Sequence, residues 1–260
     1  MSSLESRYIV GMRVDATSYS DAAKRITEWS QRGESRYVCV AAVNNVMAAH
    51  DQPSFRVAMN DADLVTPDGM PLVWGLRRMG VDDATRVYGP DLTPVLLSRA
   101  SDAGIPVGFY GGTPEVLEAL VERVHHRWPD LDVAYAWSPP FRDLTREEDD
   151  RVVRQIQESG TRMLFVGIGC PRQEIWMHSH RGQIDAVMLG VGAAFDFMAG
   201  VKKQAPGLMQ RTGTEWLFRL ATEPRRLWRR YLRQNPRFVA LFGAQLLKER
   251  LSGRTPDKAA

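Results

Sequence analysis

Six short apolar segments, residues 37–43, 64–66, 106–110, 133–137, 163–168 and 186–191, alternate with longer stretches of helical spacing. That alternation constrains the fold more than any other feature of the chain. A buried strand followed by a helix returns to its own sheet only through a crossover, so the strands run mostly parallel and helices cover both faces. The helix starts are written in the residues. Thr113-Pro114-Glu115 is an N-cap, a proline at the first helical position and an acid in the first turn, opening a helix that reaches about Trp128. Thr145 and Glu148 have capping-box spacing, with a helix running to Gly160. Asp91 and Pro171 begin two more, residues 7–15 read as an extra strand, and residues 20–32 as a helix. The expected class is α/β.

The alternation stops near Gly200. Residues 204–212, 214–221, 223–233 and 236–251 then read as helices, with Pro224 and Pro236 each placed where a new helix begins. Residues 252–260 read as a frayed end. Charge divides at the same point. Residues 1–201 carry 20 Lys and Arg against 27 Asp and Glu, whereas residues 202–254 carry 13 against 3. An acidic body (net −7) therefore precedes a basic tail (net +10), hidden within an overall charge of +3. The expected organisation is an α/β catalytic domain over 1–200 and a basic helical appendage over 201–252. So uneven a charge calls for an anionic partner: nucleic acid, a membrane surface or a phosphorylated ligand. Winding residues 223–233 at about 100° per residue gathers Leu227, Tyr231, Trp228 and Leu232 in one arc. Arg225, Arg226, Arg229, Arg230 and Arg233 fill the other. That is the composition of a membrane-surface helix, or of a helix docked on the body with a solvated basic face.

Composition excludes several classes. Hydrophobic residues at 44% and charged residues at 25% are ordinary globular values, so the chain is not disordered or collagenous. Cys39 and Cys170 lie far apart in apolar segments, which speaks for a reducing compartment rather than a disulfide framework. No run of 18 apolar residues offers a membrane span, and MSSLESRYIV lacks the pattern of a secretory signal.

In an open α/β sheet, ligands lie beyond the carboxyl ends of the strands. Five of the six strand ends here carry glycine or polar residues of this kind. They are Asn44-Asn45, Pro67-Asp68-Gly69, Gly111-Gly112-Thr113, Gly169-Cys170-Pro171-Arg172-Gln173-Glu174, and Gly192-Ala193-Ala194-Phe195-Asp196. Each alone is an ordinary strand-to-helix turn. Together they form a ligand-binding rim with free helix N-termini for a phosphate. Asp68, between Pro67 and Gly69, is placed either to act as a general base or to cap the helix of residues 70–79. Arg86 pairs either with a diphosphate or with Asp91. Asp61 and Asp63 precede their strand and so lie at the wrong edge for a metal-bound nucleotide.

Other chemistries lack their signatures. Gly167-Ile168-Gly169 and Gly190-Val191-Gly192 each miss the third glycine of a dinucleotide fingerprint, which disfavours an NAD-dependent oxidoreductase. No P-loop lysine, Gly-x-Ser-x-Gly turn or metal-spaced histidine set occurs. A nucleic-acid-binding protein would explain the arginine-rich tail and leave the rim without a purpose.

Taken together, Asn44-Asn45, DADLVTPDGMPLVW, RVYGPDL, GFYGGTPE, FVGIGCPRQEIW, LGVGAAFDFMAG and EWLFRLATEPRRLWRRYL resemble the bacterial WecG/TagA/CpsF glycosyltransferases over roughly residues 8 to 245. The resemblance implies a Rossmann-like domain with a C-terminal helical appendage. It also implies inverting, metal-independent transfer of a sugar from a UDP-sugar to a lipid-diphosphate-linked sugar, in cell-surface polysaccharide or teichoic acid synthesis. The place implied is the cytoplasmic face of the membrane, with residues 215–250 on an anionic surface, no cofactor and no nucleic acid. It makes Asp68 the base, sets Arg86 and Gln173 against substrate, and brings Arg219, Arg226 and Arg229 to the diphosphate. Asn44, Asn45, Gly111, Gly169, Glu174 and Asp196 complete the expected substrate-binding set. Apolar surface around Trp74 or on the last helix offers a place for a homo-oligomer to form.

Overall fold

The computed structural model describes residues 4–252, so part of the expected frayed end lies outside the described residues. Residues 7–15 do not form a single strand. Val10 and Gly11 both take left-handed φ, +51° and +83°, and turn the chain back in a two-residue hairpin. Strands β1 (Ser6–Ile9) and β2 (Met12–Asp15) therefore pair antiparallel, as a small sheet of their own. The sequence hid this because Val10 is β-branched and reads as strand interior. Asp15 ties the hairpin to the body, accepting from Ser6 Oγ at 2.7 Å and from the Val65 N–H at 2.7 Å.

The α/β alternation then runs as expected. Helix α1 (Tyr19–Gln31) is capped by Ser18, whose side chain accepts from the Asp21 N–H, and leads to β3 (Arg36–Ala41). Two short helices, α2 (Val43–Asp51) and α3 (Pro53–Asn60), separate β3 from β4 (Leu64–Pro67). Helices α4 (Met70–Arg78) and α5 (Gly89–Ala103) carry the chain across the sheet to β5 (Val107–Gly111). There follow α6 (Pro114–Arg127), β6 (Val133–Trp137), α7 (Arg146–Glu158), β7 (Met163–Gly167), α8 (Arg172–His180), β8 (Val187–Gly190) and α9 (Ala194–Met198). Thr113 caps α6, and Thr145 with Glu148 closes a capping box on α7.

Strands β3 to β8 make one parallel six-stranded sheet in the order β4-β3-β8-β7-β5-β6. Strand alternation splits the core into two layers. Tyr37, Cys39, Leu164, Val166 and Met188 pack with α2, α3, α4, α7 and α8 on one face. Val38, Phe109, Met163, Phe165 and Leu189 pack with α1, α5, α6 and α9 on the other.

The tail comprises α10 (Gly207–Arg211), α11 (Glu215–Thr222) and α12 (Pro224–Ser252). Pro236 does not begin a new helix; it lies inside α12, which runs unbroken for 29 residues. Its missing backbone donor is outweighed by packing on either side, since Leu227 before it and Phe238 after it are both buried. The helix lies along α2, with Arg237 ion-paired to Asp51. At its far end, Gln245 accepts from the Val10 N–H at 2.8 Å and donates to the Tyr8 carbonyl at 2.7 Å. Phe238 stacks on Phe242 at 5.7 Å between ring centroids, and Phe242 covers Gly75. We expect Phe238→Ala to cost about 3 kcal/mol in urea unfolding, the cost of deleting a buried phenyl ring. A loss below about 1 kcal/mol would mean that the tail contributes little to the fold.

Candidate active site

The carboxyl ends of β3, β4, β5, β7 and β8 open on one cleft of about 620 Å³. Close strand packing at its floor requires glycine. Gly111 takes φ +131°, and a Cβ there would meet the Gly167 carbonyl carbon at 2.5 Å. The Gly112 N–H reaches the Gly167 carbonyl at 3.2 Å, closing the ends of β5 and β7 on each other.

The rim residues of β3 and β7 form a single network. Asn44 and Asn45 lie in the first turn of α2 and line the cleft. Asn45 Oδ1 accepts from the Ala42 N–H at 3.1 Å, and its Nδ2 donates to Glu174 Oε1 at 3.1 Å. Gln173 Oε1 accepts from the Gly169 N–H at 3.2 Å, and its Nε2 donates to the same Glu174 oxygen at 3.0 Å. Glu174 is fully buried and so fixes which way both amides face. Its Oε2 accepts no hydrogen bond among the described residues, and burial pushes the carboxyl up to about 7.

Asp68 stands across the cleft at the end of β4. It does not cap α4, whose N-cap is Gly69 with no side-chain cap bond, so the structural reading of this carboxylate falls away. Its own N–H donates to the Ala41 carbonyl at 2.8 Å, which fixes the turn beside β3. Asp68 Oδ1 is shut off from water and accepts no hydrogen bond among the described residues, with Arg86 Nη2 3.5 Å away. Burial pushes the carboxyl up to about 7, opposed chiefly by the Arg86 charge.

Arg86 does not pair with Asp91. Its Nη2 donates to Glu215 Oε2 at 2.6 Å, Nε to the Asp68 carbonyl, and Nη1 to the Gln210 carbonyl at 3.4 Å. Its guanidinium lies 4.2 Å from the Tyr88 ring centroid. Asp91 instead accepts from the Tyr19 hydroxyl at 3.4 Å. Asp63, at the opposite edge, accepts from Arg36, Arg181 and the Tyr37 N–H, with its side chain buried.

The tail closes one side of the cleft. Lys202, Arg219, Arg226 and Arg230 all line it. Lys202 bridges Asp196 at 2.8 Å and Glu223 at 3.4 Å, and Glu223 holds Arg226 at 2.9 Å. Arg229 lies elsewhere, with its guanidinium 5.2 Å from the Trp228 ring centroid. Arg230, Lys202 and Glu215 were not singled out from sequence. Arg230 had a signal: at about 100° per residue it falls only about 60° from buried Leu227, nearer than Arg226 or Arg229. Among the described residues no group of three or more His, Cys, Asp or Glu side chains gathers as a metal site, and no helix is long and apolar enough to cross a membrane.

An acidic residue with a raised proton affinity, amide groups locked by a buried carboxyl, and a guanidinium-rich wall thus meet in one cavity. Such a set suits proton removal from a hydroxyl beside an anionic leaving group. The sequence model of the glycosyl transferase WecG/TagA/CpsF family matches residues 7–252. The chain is also similar to the N-acetylglucosaminyldiphosphoundecaprenol N-acetyl-beta-D-mannosaminyltransferase of Bacillus spizizenii. The two are 30% identical over 242 residues, covering 93% of this chain and 90% of the relative.

Proposed function

The chain belongs to the WecG/TagA/CpsF family of glycosyltransferases, and from that premise we propose that it moves an N-acetylhexosamine-type sugar from a UDP-sugar to an N-acetylglucosamine carried on a polyprenyl diphosphate, with inversion and without a metal. One observation carries the reading: Asp68 from the body and Arg219, Arg226 and Arg230 from the tail line the same cleft. Asp68 removes the proton of the acceptor hydroxyl, whose oxygen displaces UDP from the opposite face of the sugar ring. The departing diphosphate gathers negative charge, which the guanidinium groups are placed to meet. Asn45 and Gln173, oriented by Glu174, border the path between the two substrates.

The tail also supports a peripheral seat on the inner face of the membrane. In the arc of Leu227, Tyr231, Trp228 and Leu232, Leu227 turns inward and is buried, whereas Trp228 and Leu232 stay exposed, with Val239 beside them. Arg225, Arg229 and Arg233 follow round the same helix, the composition that binds anionic lipid.

The reading is tested with a panel of UDP-sugars, UDP-N-acetylmannosamine among them, and a short-chain polyprenyl-diphosphate N-acetylglucosamine, with and without chelator. We expect transfer from a UDP-N-acetylhexosamine at equal rates in both arms. Loss of transfer on chelation, or no transfer from any UDP-sugar, would overturn it.

A further inference from the structure

Glu215 opens α11, far in sequence from every strand end, yet it is buried against Arg86. Its Oε2 takes Arg86 Nη2 at 2.6 Å, and that same nitrogen is 3.5 Å from Asp68 Oδ1. One guanidinium nitrogen is thus divided between two carboxylates and lies far closer to the one delivered by the tail. A free guanidinium beside a carboxylate forms a bidentate fork, which would stabilise the ionised acid and weaken it as a base. Here two further donors of Arg86, on Nε and Nη1, go to the Asp68 and Gln210 carbonyls, and its face covers Tyr88.

We propose that Glu215 is a positioning residue of the transfer reaction: carried in on α11, it holds Arg86 off Asp68, so that the Asp68 carboxylate stays free to take the acceptor's proton. The inference rests on the reading of Asp68 as the base. Asp68 is faced by Arg86 from the loop before α5, by Glu215 and Arg219 from α11, by Tyr88 at the start of α5, and by Tyr19 of α1. Arg86 and Arg219 draw its proton affinity down, while Glu215 raises it beyond what burial does. Removing the Glu215 charge deletes that push and frees Arg86 to swing onto Asp68, so both changes act in the same direction.

The test is the pH profile of kcat/KM for the full chain, with UDP-sugar and lipid-linked acceptor. Glu215→Gln should move the acid limb down by about one pH unit and lower the high-pH plateau about tenfold, as a weaker base works more slowly. Glu215→Asp keeps the charge and should hold the limb near its parental pH, which also covers the case in which Glu215→Gln fails to fold. An unmoved limb in Glu215→Gln, whatever its rate, or an equal shift in Glu215→Asp, overturns the proposal. Asp68→Asn separates the two readings. If that variant keeps turning over, the assignment of the base fails and this inference with it. If it is inactive while the Glu215→Gln limb stays in place, the inference alone fails.

Discussion

Asp68→Asn should lower sugar transfer by about 10²- to 10⁴-fold, the usual worth of a general base, leave UDP affinity largely intact, and yet make the protein harder to unfold. The two halves of this expectation have one cause. Burial pushes the Asp68 carboxyl up to about 7, whereas in the unfolded chain it titrates near its ordinary value of 3.8. Between those two values the folded state holds the proton more tightly, so stability falls as pH rises through the interval, and the cost of the buried charge is complete above about pH 7. Asparagine carries no charge and escapes that cost. Its Tm should exceed the parent's at pH 8, and the difference should vanish near pH 4. In the parent, transfer should rise as pH climbs through about 7, where Asp68 loses its proton and becomes competent as a base. Isothermal titration with UDP, a transfer assay and thermal unfolding at two pH values check the set. Substantial turnover by Asp68→Asn would refute the role.

The second large effect concerns the tail. Ending the chain after Gly200 removes Glu215 and all three cleft arginines of α11 and α12, and we expect transfer to fall by at least about 10³-fold, more than loss of a single donor to a developing anion costs. The cut also strips Phe238 and Phe242 from the body, so lost activity alone would not distinguish a missing charge from a damaged fold. Arg226→Ala combined with Arg230→Ala makes that distinction. Arg226 is exposed and Arg230 half-buried, so Tm should fall by no more than about 4 °C, the shift that about 1 kcal/mol produces, while transfer falls about 10²-fold. Arg229→Ala, which touches Trp228 and not the cleft, should keep transfer within about threefold on short soluble acceptors. Parental transfer by the double variant would end the electrostatic role of the tail.

What the sequence made legible was whatever follows from local spacing. The six parallel strands, the caps at Thr113 and Thr145, and the placement of Asn44, Asp68, Gln173 and Asp196 on one edge all follow from periodicity and from the rule for strand ends. Long-range competition stayed hidden. Nothing in the spacing of Arg86 says that a glutamate 129 residues later will claim it in place of Asp91. Val10 reads as strand because branching at Cβ favours strands, and the turn appears only once Gly11 and the pairing of Tyr8 with Arg13 are seen together. Pro236 reads as a helix start because proline punctuates most helices, and only buried neighbours on both sides show why this one does not. Arg229 and Arg230 differ by one step of a helix, which decides between solvent and cleft; their order in the sequence does not reveal it.

The clamp that Gln245 makes on the hairpin has a mechanical consequence. Arg230 lies 15 residues before it on one continuous helix, a lever arm of about 22 Å at 1.5 Å per residue. Buried Leu227 and Phe238 and the Arg237–Asp51 pair fasten the same helix along that length, so the arm is held at both ends and Arg230 keeps a fixed station on the cleft wall.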